Sequence, residues 1–253
     1  MNLSERRQLI LDTMVKDGTV KVAQIARQTG VTQTTIRKDL NYLESKGLLY
    51  RAYGTALPTT SQTFDISLNN KKLINYDPKM KIAAAAAKLI ENNDSILLSS
   101  GSTITLFADF IKPKGRLNVV SASVAISALL SVVPGISVMQ IGGLLYSNTL
   151  SPFGIEASRS LANVHCSKAF IGVDGFDPRF GITCGTVEEA ELTQQMIRAS
   201  SRLIVLSDSS KYGQKGFGRI CGMEQIDTLI TDSFLSDEAR REIEALGVKL
   251  IIV

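Results

Sequence analysis

"VTQTTIRKDL", residues 31–40, sets three threonines, a glutamine and two adjacent cations around the apolar pair Ile36 and Leu40. With Leu43, that pair recurs at i, i+4 and i+7, the period of a helix with one buried stripe. The spacing predicts a helix capped by Thr32 and stopped by Gly47, with Gln33, Thr34, Arg37, Lys38 and Asn41 on its outer face. Two helices are predicted upstream. One covers about Ser4–Val15, with Ser4 as N-cap and Leu9, Ile10, Thr13 and Met14 at helix spacing. The other covers Val22–Thr29, buries Val22, Ile25 and Ala26, and ends at Gly30. Downstream, "LLYRAYGTAL" (48–57) alternates and turns at Gly54, as a two-stranded wing would.

Taken alone, Arg37 and Lys38 on a helix surface are an ordinary solvated face. Here the turn, the cations and the wing agree with one another. Two short helices joined by a glycine-containing turn form a helix-turn-helix, whose second helix enters the major groove near its N-terminus. Short hydrogen-bonding side chains in the first turn then meet base edges, and cations meet phosphates or guanine. The expected DNA-binding set is Thr32, Gln33, Thr34, Thr35, Arg37 and Lys38, with Arg51 and Tyr53 from the wing. Charge agrees. Residues 1–57 hold nine Lys/Arg against five Asp/Glu, and the rest of the chain balances at 19 against 19. The whole excess of four cations therefore sits in the first fifth of the chain.

Other classes are disfavoured. No apolar run reaches the roughly 18–20 residues of a membrane span, and "MNLSERRQLI" lacks the apolar core of a secretory signal. A cytoplasmic protein is expected. Cys166, Cys184 and Cys221 are scattered and odd in number, and His165 is the only histidine. Neither a metal site nor a disulfide framework is expected, and a Ser-His-Asp mechanism is a poor fit.

The segment from Arg6 to Leu57, and "TIRKDLNYLESKG" followed by "RAYG" above all, resembles the DNA-binding domain of the DeoR family of bacterial transcriptional regulators. Where that family usually has a second glycine after "RAYG", Thr55 stands here. The resemblance implies a winged helix-turn-helix domain at 1–57, a linker at 58–76 and a sensor domain at 77–253.

After residue 76 the residues give their own account. Asp77 is expected to cap, and Pro78 to open, a helix built on "KMKIAAAAAKLIEN". Seven apolar runs then read as strands: "SILLS", "LNVVS", "ISVMQI", "KAFIGV", "RLIVLS", "TLIT" and "KLIIV". Helices are predicted near 123–133, 187–199 and 236–246. This is an α/β pattern with a mostly parallel sheet covered on both faces. Such folds bind ligands beyond the carboxyl ends of strands. At those ends lie Ser99, Gly101, Ser102 and Thr103, then Gly142 and Gly143, then Asp174 and Gly175, and finally Asp208, Ser209, Ser210 and Lys211. Thr183 and Glu189 follow in "GITCGTVEEA". Hydroxyls, a glycine and a helix N-terminus suit a phosphate, Lys211 adds charge, and carboxylates suit sugar hydroxyls. Each feature singly could be no more than a turn.

This half resembles the sensor domain of the same family, a Rossmann-like α/β fold similar to ribose-5-phosphate isomerase, with "DSSK" (208–211) its most specific motif. The resemblance implies a repressor of a sugar or polyol catabolic operon. It implies double-stranded operator DNA and a phosphorylated sugar or polyol as partners, a dimer or tetramer, and no cofactor. Departures fall at the expected ligand rim: Ser99 where an acidic or amide residue is common, Ser121-Ala122 where Thr-Asn is common, and Cys184-Gly185. The alternative is a sugar-phosphate isomerase or deaminase carrying a DNA-binding appendage, although fold alone does not transfer chemistry.

Overall fold

The computed structural model describes residues 1–17, 20–45, 48–52, 55–57, 71, 74–113, 115–146 and 149–253. Gly47, Tyr53, Gly54 and residues 58–70, 72 and 73 of the expected linker lie outside the described residues. The chain forms two compact units, Met1–Ile74 and Asn75–Val253.

The first unit runs α1 (Leu3–Asp17), β1 (Val20–Lys21), α2 (Val22–Thr29), α3 (Gln33–Ser45), β2 (Tyr50–Ala52) and β3 (Thr55–Leu57). Asn2, rather than Ser4, caps α1. The Glu5 amide donates to Asn2 Oδ1 at 2.9 Å and the Asn2 amide donates to Glu5 Oε2 at 2.8 Å, a reciprocal capping box. Gly30 adopts φ +69° and turns the chain from α2 into α3, where the Thr35 amide donates to Thr32 Oγ1 at 3.2 Å. Ile10, Leu11, Met14, Ile25, Ile36, Leu40 and Leu43 form the core. Leu9 is only half-buried. The expected two-stranded wing is a three-stranded sheet in the order β1-β3-β2. The short Val20–Lys21 segment fills the second edge of β3, pairing Val20 with Ala56.

In the second unit, α4 (Tyr76–Ala87) begins at Asn75, which holds φ +53°; Asp77 lies inside the first turn rather than capping it. All seven predicted strands form: β4 (Ser95–Leu98), β5 (Leu117–Ser121), β6 (Ile136–Gln140), β9 (Lys168–Gly172), β12 (Leu203–Leu206), β14 (Thr228–Thr231) and β15 (Lys249–Ile252). They build one sheet in the order β15-β14-β12-β9-β4-β5-β6, every pair parallel. Alternate residues serve opposite cores. Ile96, Leu98, Val119, Phe170 and Ile204 pack with α4, α5 (Ser102–Asp109) and α6 (Val124–Leu130). Leu97, Val120, Ala169, Ile171 and Val205 pack with α7 (Ile155–Ser160), α8 (Val187–Arg198) and α9 (Asp237–Ala245). Burial on both faces is why these strands read as unbroken apolar runs. Two small antiparallel sheets were not foreseen: β7 (Leu144–Leu145) with β8 (Pro152–Phe153), and β10 (Gly175–Asp177), β11 (Gly181–Cys184) and β13 (Gly218–Cys221).

At the amino ends of β4 and β9, Lys168 Nζ donates to Asp94 Oδ2 at 2.6 Å, and both side chains are buried. Burial pushes the Asp94 carboxyl up. The hydrogen bonds from Lys168, the Glu91 amide and Ser167 outweigh this and hold it below the usual carboxylate range. A depressed folded pKa contributes stability above the unfolded value, lost as pH falls through the folded one. Asp94→Asn should therefore lower the urea-unfolding stability of the second unit by about 3 kcal/mol at neutral pH. The gap between variant and wild type should narrow below pH 3.8, Asp94's ordinary value.

Candidate functional site

Two surfaces carry the expected residues. On the first unit, Thr32, Gln33, Thr34, Arg37 and Lys38 are exposed along α3, and Thr35 is half-buried. Arg37 Nη2 donates to Gln33 Oε1 at 3.1 Å, so a cation and an amide are held together one helical turn apart. The Thr32 and Thr35 hydroxyls lie 3.0 Å from each other. Arg51 stands on β2; Tyr53 lies outside the described residues. Sequence reasoning treated all nine cations of this region alike, but among the described side chains Arg6 and Arg7 face inward. Arg6 Nε donates to Asp39 Oδ2 at 2.5 Å and Arg7 Nε to Asp39 Oδ1 at 3.2 Å, with Asp39 almost wholly buried. The Arg7 guanidinium also lies 3.5 Å from the centre of the Tyr42 ring. Asp39 thus ties α1 to the back of α3, leaving the outer face to Arg37 and Lys38.

On the second unit the strand order decides the geometry. Successive strands wind outward in both directions from the pair β4 and β9, so their carboxyl ends border an uncovered crevice. From β4 the chain passes through Ser99, Ser100 and Gly101 into α5. Gly101 sits at the N-cap with no side-chain capping bond, which leaves the first amides of α5 aimed outward. Ser102 and Thr103 occupy that first turn and are largely buried. From β9 comes Asp174, half-buried, then Gly175. A side chain at Gly175 would meet the Gln214 carbonyl at 2.2 Å and Thr183 Oγ1 at 2.9 Å, so only glycine fits. From β12 come Asp208, almost wholly buried, Ser209, Ser210 and a half-exposed Lys211.

Several expected ligand contacts are already engaged within the protein. Ser99 Oγ accepts from the Gly172 amide at 3.0 Å and donates to the Ser100 carbonyl, strapping β4 to β9 across the crevice. Thr183 is fully buried, accepting from the Gly216 amide at 2.8 Å and donating to the Gly175 carbonyl. Ser209 donates twice to Asp232, at 2.8 and 2.7 Å. These three residues shape the crevice from behind. Gly142 and Gly143 are exposed after β6, four strands from β12, roughly 19 Å at the usual spacing. Glu189, half-buried in the first turn of α8, lies near Tyr146 beside that same loop. The structure therefore brings together the ends of β4, β9 and β12 and sets Gly142 and Gly143 apart.

Two residues were missed. Asn75 Nδ2 donates to Asp208 Oδ1 at 2.8 Å and to Ser210 Oγ at 3.1 Å. Asp232, which anchors Ser209, follows β14. Strand-end reasoning reaches Asp232; Asn75 carried no signal, since it lies in a segment read as linker. A separate cleft of about 590 Å³ lies between Asp177–Arg179, Tyr212–Lys215 and the end of α9. It contains none of the expected ligand residues and mixes Asp177 and Glu242 with Arg179 and Lys215. Among the described residues no group of three or more His, Cys, Asp or Glu could hold a metal. No helix among them is long and apolar enough to cross a membrane.

Residues 74–233 match the DeoR C-terminal sensor domain, and residues 6–62 match the DeoR-like helix-turn-helix domain. The chain belongs to the DeoR family. Among its relatives, a putative aga operon transcriptional repressor of Escherichia coli O157:H7 is 31% identical, covering 99% of this chain and 94% of that protein. The regulator YulB of Bacillus subtilis is 32% identical over 100% and 98%, and the repressor GlcR of the same species 29% over 100% and 97%. Ribose 5-phosphate isomerase A of Neisseria gonorrhoeae is 20% identical with a TM-score of 0.38, covering 53% of this chain and 52% of that one. So distant a likeness says nothing about activity.

The Asp39 contacts yield a prediction confined to the DeoR-like helix-turn-helix unit. Asp39→Ala leaves Arg6 buried beside no carboxylate and should destabilise that unit by about 3 kcal/mol. Calorimetry should show its transition lowered and that of the sensor unit unmoved; a common shift of both would contradict the assignment.

Proposed function

We propose that this DeoR-family protein is a transcriptional repressor of a carbohydrate or polyol catabolic operon, released from operator DNA by a phosphorylated sugar. The observation that carries this is the bare N-terminus of α5 opening at the strand-order reversal, with Lys211 two strands away on the same edge. Two strand spacings are about 10 Å, a gap that a small sugar spans with its phosphate against the α5 amides. In this reading Lys211 supplies countercharge, and Asp174 and Asp208 accept from sugar hydroxyls. The exposed face of α3 reads the DNA, Arg37 and Lys38 meeting phosphates or guanine and Gln33 and Thr34 the base edges. The repressor names of the E. coli and GlcR relatives support this direction of control.

Release follows from differential affinity: the metabolite binds the DNA-free arrangement more tightly than the DNA-bound one, since equal binding would shift nothing. Such action on DNA places the protein in the cytoplasm, as two or more copies on paired half-sites.

Two substitutions separate the roles. In fluorescence-anisotropy titrations with promoter DNA, Arg37→Ala should weaken binding at least tenfold and reduce the salt slope by about 1, with the inducer response retained. Lys211→Ala should hold DNA with wild-type affinity while needing at least tenfold more sugar phosphate for release. Normal release of Lys211→Ala by every active sugar phosphate would refute the crevice as the effector site.

A further inference from the structure

Charge is absent from one long stretch of the sensor unit. Between Arg116 and Glu156, 39 consecutive residues contain no Asp, Glu, Lys, Arg or His. At the chain's overall charged share of 21%, about eight would be expected. This segment builds one end of the molecule's main sheet: β5, α6, the terminal strand β6, and the β7–β8 hairpin. Among the described residues, half of the sixteen exposed large apolar side chains lie in it, including Val132 at 80%, Leu144 at 70% and Ile155 at 63%.

The chemistry of β6 itself is the sharper signal. Its outer edge has no strand partner among the described residues, so a row of backbone donors and acceptors faces outward. Soluble proteins guard such edges with lysine, proline, a bulge or a covering element; "ISVMQ" contains none of the first two, and its five residues pair with β5 without a break. Ile136 and Val138 face the α6 side and join that core. Met139 points to the opposite face and is 41% exposed, because α7 and α8 cover the inner strands rather than this one. The patch continues past the strand. Leu144 pairs with Phe153, two residues before Ile155, and the Val124 amide donates to the Leu150 carbonyl at 3.4 Å, which ties the start of α6 to the chain between β7 and β8. The other end of the sheet is built differently: β15 starts on Lys249, and six of the nine residues of the adjoining α9 are charged.

We infer that this charge-free end is the face on which a second copy of the chain docks, β6 lying antiparallel to its symmetry mate. A two-fold interface sets each patch against itself; the segment's own residues bring no charge to such a contact, and Glu188 and Glu189 of α8 stand at its border beside Tyr146. Stable interfaces use about 20–30 residues from each partner; this segment supplies enough. The two-fold partner also suits paired half-sites, and to that extent the inference rests on the DNA-binding reading. It adds a route for control. Gly142 and Gly143 lie between β6 and β7, so any ligand-linked shift of that loop acts directly on the interface.

Sedimentation velocity of the full chain without DNA or ligand tests the interface independently of the DNA-binding reading. Wild type should sediment as a dimer or larger at 10 µM. Met139→Lys, and Leu144→Glu as a second variant at an exposed position, should at least halve the mass while keeping the wild-type melting transition. Phe217→Lys, exposed on β13's side of the molecule, should leave the mass unchanged. A monomeric wild type would overturn the inference, as would an assembly that survives both charged variants or dissolves only with Phe217→Lys. A wild-type dimer that shows no binding to promoter DNA would contradict the DNA-binding reading and leave the interface standing.

Discussion

Parallel strands that wind outward in both directions from a central pair leave the carboxyl ends of that pair without a crossing helix. In this chain the pair is β4 and β9, and the rest of the sensor unit is arranged around the opening between them. Ser99 bonds the two strands across it, Gly175 lets the β10–β11–β13 sheet close tightly behind it, and Asp232 and Asn75 fix the Asp208–Lys211 turn at its side. The buried Lys168–Asp94 pair locks the same two strands at their other ends. Rigid support on every side of a bare helix N-terminus is what a preorganised anion site requires.

The helix-turn-helix unit solves a different problem. A small unit that presents cations to DNA must keep some of its own charge from disturbing the core. Asp39 does this by accepting from both Arg6 and Arg7, so the apolar stripe of α3 faces Ile10 and Ile25 while Arg37 and Lys38 remain outside. Net charge thus overstates the groups available to a polyanion. Position on α3, rather than the count, singles out Arg37 and Lys38.

Much of this was legible in the sequence. The seven sheet strands were visible because burial on both faces makes each an apolar run, and α3 was visible through Ile36, Leu40 and Leu43. Strand order was not legible, since period and composition say nothing about which runs become neighbours; that order separates Gly142 and Gly143 from Lys211. Short strands escaped for a related reason. Val20–Lys21 and Leu144–Leu145 are too brief to show a period, and tertiary pairing alone makes them strands. The roles of Thr183, Ser99 and Ser209 were hidden because a hydroxyl at a strand end looks the same whether it faces a ligand or a neighbouring amide. The capping box of Asn2 and Glu5, by contrast, was there to be read, with Ser4 the more familiar cap between them.

The central claim is that a phosphorylated metabolite binds where β4 and β9 part. Hydrogen–deuterium exchange of the full chain, with and without a panel of sugar phosphates, tests this most directly. The account predicts that a compound which releases DNA slows exchange of the amides at 101–105 and 208–212. Protection confined to 177–179, 212–215 and 242–246, the lining of the separate cleft, would contradict it.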